Sequence, residues 1–118
     1  MAKVNSPPLT PAGFQVLLAI ARGHAHGYGI MGFVDEVTGG SVQLGPGTLY
    51  RTLARLSADG LVEEAPHRTE DEPHDARRRY YRLTDLGLRV ARREAALLQR
   101  LAAESAEAGL LGERARTA

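Results

Sequence analysis

The sequence predicts a mainly α-helical fold with one small β-hairpin and a long helix at its C-terminal end. Three observations carry this. Leu49, Leu53 and Leu56 recur at i, i+4 and i+7 in a segment that ends at Gly60, the spacing of a helix with one buried face. Two short strand-like runs, Leu61 to Ala65 and Arg78 to Leu83, flank a polar, acidic stretch, the pattern of a hairpin with a long connection. From Thr84 the chain runs to Ala108 without proline, with apolar residues near heptad positions, which is a long amphipathic helix.

Taken in order, residues 1–8 are polar and proline-containing and are expected to form a loose arm. Thr10 followed by Pro11 is a helix start: the hydroxyl can cap, and proline at the first position loses no needed N–H. Phe14, Leu17, Leu18 and Ala21 form one apolar face of this first helix, and Val16 and Ile20 a second, so it should be buried on two sides. Gly23 ends it. A second helix begins near His26, which caps or starts it; its expected buried stripe is Ile30, Phe33 or Val34, and Val37, and Gly39-Gly40 stop it. The third helix starts near Pro46 or Gly47, with Tyr50, Arg51, Thr52 and Arg55 off the leucine face.

In the second strand, strict alternation would place Tyr81 and Leu83 on one face and Tyr80 and Arg82 on the other. Thr84-Asp85 then caps the last helix, a cap residue followed by an acid favoured by the helix dipole. Val90, Leu97 and Leu101 keep near-heptad spacing. About two dozen residues make a rod on the order of 36 Å. Little else in the chain is left to cover it, which suggests dimerisation. The order is that of a winged helix-turn-helix domain at 9–83, a dimerisation helix at 84–108 and a flexible tail at 109–118.

Composition narrows the class. The 118 residues suit one domain, and there are no cysteines for disulfides or thiolate chemistry. No apolar run is long enough to cross a bilayer and the N-terminus does not read as a signal peptide, so a cytoplasmic protein without membrane contact is expected. The net charge of +1 conceals local asymmetry: arginines cluster between Arg77 and Arg100, and acids between Glu63 and Asp75. Local patches, not global charge, govern nucleic-acid binding.

Three words of sequence are more specific. His26-Gly27-Tyr28-Gly29-Ile30, then Gly47-Thr48-Leu49-Tyr50 with Leu53, Leu56 and Gly60-Leu61, then Arg79-Tyr80-Tyr81-Arg82-Leu83-Thr84 with Gly87, resemble the PadR family of bacterial transcriptional regulators. The resemblance covers about residues 9 to 108 and matches the compact members with a single C-terminal helix. It implies a homodimeric regulator, usually a repressor, on a pseudo-palindromic operator in double-stranded DNA. It also implies release by a small hydrophobic or aromatic effector.

The third helix is the expected reading element, since its N-terminal residues reach base edges in such domains. Thr48, Tyr50, Arg51, Thr52 and Arg55 are the residues expected at DNA. Arg51 or Arg55 can read guanine bidentately, and a threonine can touch a thymine methyl. Tyr50 either donates to a phosphate or packs into the core, and Thr48 either contacts DNA or caps the helix. Arg51 and Arg55 are read as having no nearby acid. Arg77, Arg78 and Arg79 would meet phosphates or enter the minor groove, the alternative being a solvated strand edge. The acidic stretch from Glu70 to Asp75 either turns away from DNA or pairs with the adjacent arginines.

An effector pocket would lie between the dimer helices and the first helix, lined by Phe14, Leu17, Val90, Leu97 and Leu101, residues that equally suit plain interface packing. The four histidines lack metal-ligand spacing, no residues form a catalytic constellation, and no cofactor is expected. The competing reading is a winged-helix module for protein–protein interaction that does not read DNA.

Overall fold

The computed structural model describes residues 9–66 and 79–112. Among the described residues, four helices and a two-stranded antiparallel hairpin follow the order α1 (Pro11–Ala21), α2 (Gly27–Val37), α3 (Pro46–Ala58), β1 (Val62–Ala65), β2 (Tyr80–Leu83) and α4 (Asp85–Glu107). The expected fold class is therefore the observed one. The arm at 1–8, the acidic stretch from Glu70 to Asp75, Arg77 and Arg78 lie outside the described residues.

Helix α1 starts as its residues dictate: Thr10 Oγ1 accepts from the Gly13 N–H at 2.9 Å. Val16, Leu17, Ala19 and Ile20 are buried, so this apolar helix forms the centre of the core. His26 caps α2 through Nδ1, which accepts from the Gly29 N–H at 3.2 Å. Ile30 and Val34 are fully buried, whereas Phe33 is half-buried beside His24, with ring centroids 4.9 Å apart. Val37 is 56% exposed rather than buried. It sits in the last turn of α2, past the end of the core that α1 and α3 provide.

Leu49, Leu53 and Leu56 point from α3 into the core. Gly45 occupies the cap position without a side-chain bond, so Thr48 is not the cap. The helix closes on Gly60 at φ +78°, where the Leu61 N–H donates to the Leu56 carbonyl at 2.9 Å, a glycine-dependent helix ending.

The hairpin pairs Val62 with Leu83, Glu63 with Arg82, Glu64 with Tyr81 and Ala65 with Tyr80. Simple alternation in β2 fails, because Tyr80 and Tyr81 are both buried. The extended segment before α2 lies alongside β2 and supplies the second cover. The Tyr81 N–H donates to the Ala25 carbonyl at 2.7 Å, His26 forms a bridge with Tyr80, and the two rings meet edge-on at 5.5 Å.

Among the described residues, helix α4 is anchored at its start. Thr84 Oγ1 accepts from the Gly87 N–H at 2.9 Å and donates to the Gly60 carbonyl at 2.6 Å. Gly87 and Val90 are its buried residues. Leu97, Leu98 and Leu101, further along, are 38%, 41% and 54% exposed. No helix among the described residues is long and apolar enough to cross a membrane.

Candidate nucleic-acid interface

The face of α3 opposite its leucines presents Thr48, Tyr50, Arg51 and Arg55 to solvent, with Thr52 half-buried beside them. Packing of α3 on α1 and α2 fixes this orientation, because the buried stripe admits one rotation of the helix. Thr48, Arg51, Thr52 and Arg55 line one shallow groove of about 220 Å³ against Leu9, Thr10 and Gly13 at the start of α1. Its floor includes the buried Leu56 and Leu61.

Within this surface the side chains already have partners. Arg51 Nη2 donates to Thr48 Oγ1 at 3.3 Å. Arg55 Nε lies 3.6 Å from Asp59 Oδ2. The expectation that neither arginine has a nearby acid is thus wrong for Arg55: Asp59 is four residues on, which on a helix is one turn away and on the same side.

Tyr50 spans the two environments expected for it. Half its surface is exposed, yet its hydroxyl lies 2.6 Å from where a Cβ on Gly27 would stand. A glycine at the first turn of α2 is what lets the phenol end approach that backbone.

On the hairpin, the described arginines pair across the strands. Arg82 Nε donates to Glu63 Oε2 at 2.8 Å, and Arg79 Nη1 lies 3.7 Å from Glu64 Oε2. Burial raises the Tyr81 phenol above its ordinary value of 10.0, and the neighbouring Arg79 guanidinium opposes the shift. Glu63, Glu64 and Arg82 were not among the residues expected at the interface. Their part depends on strand register, which charge pattern alone does not specify.

The residues expected around an effector are dispersed in the monomer. Leu17 and Val90 are fully buried in the one core cluster, Phe14 is half-buried, and Leu97 and Leu101 stand on the exposed stretch of α4. Among the described residues, no group of three or more histidines and acids could hold a metal ion.

The sequence profile of the transcriptional regulator PadR-like family matches residues 16–93. A relative from Streptomyces fradiae, an uncharacterized 37.1 kDa protein in transposon TN4556, is 37% identical over 98 residues, which are 83% of this chain. The chain spans about a quarter (26%) of the length of that curated relative. Among solved structures, a transcriptional regulator from Clostridium thermocellum superposes with a TM-score of 0.66 at 21% identity, covering 81% of this chain and 87% of its own. The PcaV transcriptional regulator from Streptomyces coelicolor, solved in complex with its natural ligand, gives 0.65 at 26% identity over 95% of this chain and 70% of its own. These similarities agree with the winged-helix arrangement of α1 to α4 and the hairpin.

Proposed function

The chain belongs to the transcriptional regulator PadR-like family, and on that premise we propose that it binds double-stranded DNA as a homodimeric, ligand-responsive repressor. One observation carries the DNA-binding part. The core rotates α3 so that Arg51, Thr48, Thr52 and Arg55 share a single solvent-facing groove. A helix with its leucines inward and Thr48, Arg51 and Arg55 outward suits the major groove, where arginine takes guanine and threonine the thymine methyl.

The dimer rests on α4, which leaves Leu97, Leu98 and Leu101 exposed on a helix of 23 residues. A second copy is the simplest cover for such a face, and it would bring two α3 helices to a pseudo-palindromic site. Their expected separation is about 34 Å, one DNA turn, or a multiple of it. Effector release is supported by the similarity to the Streptomyces coelicolor regulator that was solved with its ligand. Such an effector would enter between the α4 helices and α1, near Phe14, Leu97 and Leu101, with Leu17 and Val90 behind them in the core.

Arg77, Arg78 and Arg79 are assigned to phosphates flanking the site. The test is binding to the DNA upstream of the chain's own coding sequence, with a random duplex beside it. Arg51→Ala with Arg55→Ala should weaken the upstream site more than random DNA. Equal binding by wild type and double variant would sink the reading, and a module that binds only protein partners would then be the better account.

A further inference from the structure

Four described arginines lie on α3 and the hairpin, and three of them are held by carboxylates. Arg55 is paired with Asp59 at 3.6 Å, Arg79 with Glu64 at 3.7 Å and Arg82 with Glu63 at 2.8 Å. Arg51 differs. It bonds the Thr48 hydroxyl and has no carboxylate partner among the described residues. The three paired guanidinium side chains are nonetheless 69%, 69% and 59% exposed.

A carboxylate on a guanidinium occupies donors that a phosphate would take, because both anions present paired oxygens to the same planar fork. Resting on the DNA-binding reading above, we infer that Asp59, Glu63 and Glu64 compete internally with phosphate and hold down the sequence-independent affinity of this surface for duplex DNA. Phosphate contacts supply essentially all of non-specific binding, so that is where masking acts most directly. Arg51, with no carboxylate partner among the described residues, keeps the donors it does not give to Thr48 for a base edge.

The pairs are built for opening. Exposed ion pairs are weak, so a phosphate arriving at the right place can displace the carboxylate. The displaced carboxylate then stays beside the phosphate and opposes it. Each pair also has a distinct structural origin: helical i,i+4 spacing for Arg55 and Asp59, direct cross-strand register for Glu63 and Arg82, and the diagonal neighbour for Glu64 and Arg79.

The experiment compares wild type with the triple variant Asp59→Asn, Glu63→Gln, Glu64→Gln. A charge-matched control carries Asp35→Asn, Glu104→Gln, Glu107→Gln, carboxylates with no ion pair among the described residues. Binding is read by fluorescence anisotropy on a random-sequence duplex of about 30 base pairs, three helical turns, and on the upstream duplex, between about 50 and 200 mM salt. The triple variant should bind the random duplex on the order of tenfold more tightly. Its salt slope should steepen by about 1 for each arginine released. The control should gain clearly less. Equal gains in the two variants, or none in the triple variant, would overturn the inference while wild-type binding to the upstream duplex left the DNA-binding reading intact. Absence of salt-dependent binding by all three proteins to both duplexes would overturn the reading and the inference together. Thermal denaturation of each variant checks that the fold is retained.

Discussion

Gly87 in the first turn of α4 rests directly on the backbone carbonyl of Leu61, so closely that no side chain can stand between them. The end of α3, the start of the hairpin and the start of α4 are joined at this point. The Thr84 N–H also donates to the Leu61 carbonyl at 3.1 Å, and the Thr84 hydroxyl donates to Gly60. The angle at which α4 leaves the domain is therefore set by backbone contact. If α4 carries the dimer, that contact also sets the relation between two reading helices.

Gly87→Ala should destabilise the domain by on the order of 2–4 kcal/mol, because a methyl would overlap backbone that cannot rotate away. Gly32→Ala is the contrast. Its Cβ would meet nothing within 4 Å in the middle of α2, so that change should stabilise by roughly 0.5–1 kcal/mol. Urea unfolding of the two variants reads both signs, and a neutral Gly87→Ala would refute the contact.

Gly27 and Tyr50 should be energetically coupled. Gly27→Ala forces the Tyr50 hydroxyl, 2.6 Å from the new Cβ, to move. Tyr50→Phe removes that atom and should recover part of the loss. A double-mutant cycle should return a coupling of about 0.5 kcal/mol or more. Additivity would mean that the two residues do not touch.

Tyr81 makes stability fall at alkaline pH. Burial raises its folded-state value above the ordinary 10.0. The folded state therefore holds its proton more tightly than the unfolded state. The stabilisation is fully present below pH 10.0 and is lost as pH rises through the folded-state value. In absorbance titrations Tyr81 should ionise above the ordinary tyrosine value of 10.0. Tyr81→Phe should flatten its share of the stability loss above about pH 10, and an unchanged profile would contradict the assignment.

Leu97→Glu with Leu101→Glu should convert a dimer to a monomer while leaving the fold intact, since both side chains are exposed in the single chain. Sedimentation at micromolar concentration measures this. A monomeric wild type would remove α4 as the dimer element.

Much of the architecture was legible residue by residue. Thr10 and Thr84 cap the helices where short-range chemistry requires, and Leu49, Leu53 and Leu56 face inward as their spacing demands. His26 is a cap, as one of its two readings held. The alternation expected of β2 failed at Tyr80 because its cover comes from Ala25 and His26, more than fifty residues earlier. Val37 failed because a periodic stripe does not say where the core beneath it stops.

The side proposed to face DNA divides in the same way. The sequence by itself determined the order of elements, the inward and outward faces of α3 and the family, because these follow from periodicity, caps and short words of sequence. Only the tertiary structure decided which hairpin arginines are already engaged. The pairing of Arg82 with Glu63 and of Arg79 with Glu64 depends on a register set by the folded hairpin, and Tyr50 meets Gly27 only once α2 and α3 pack. Charges along a chain show what can attract. The distances that make one partner prevail over another arise when separate segments are brought together.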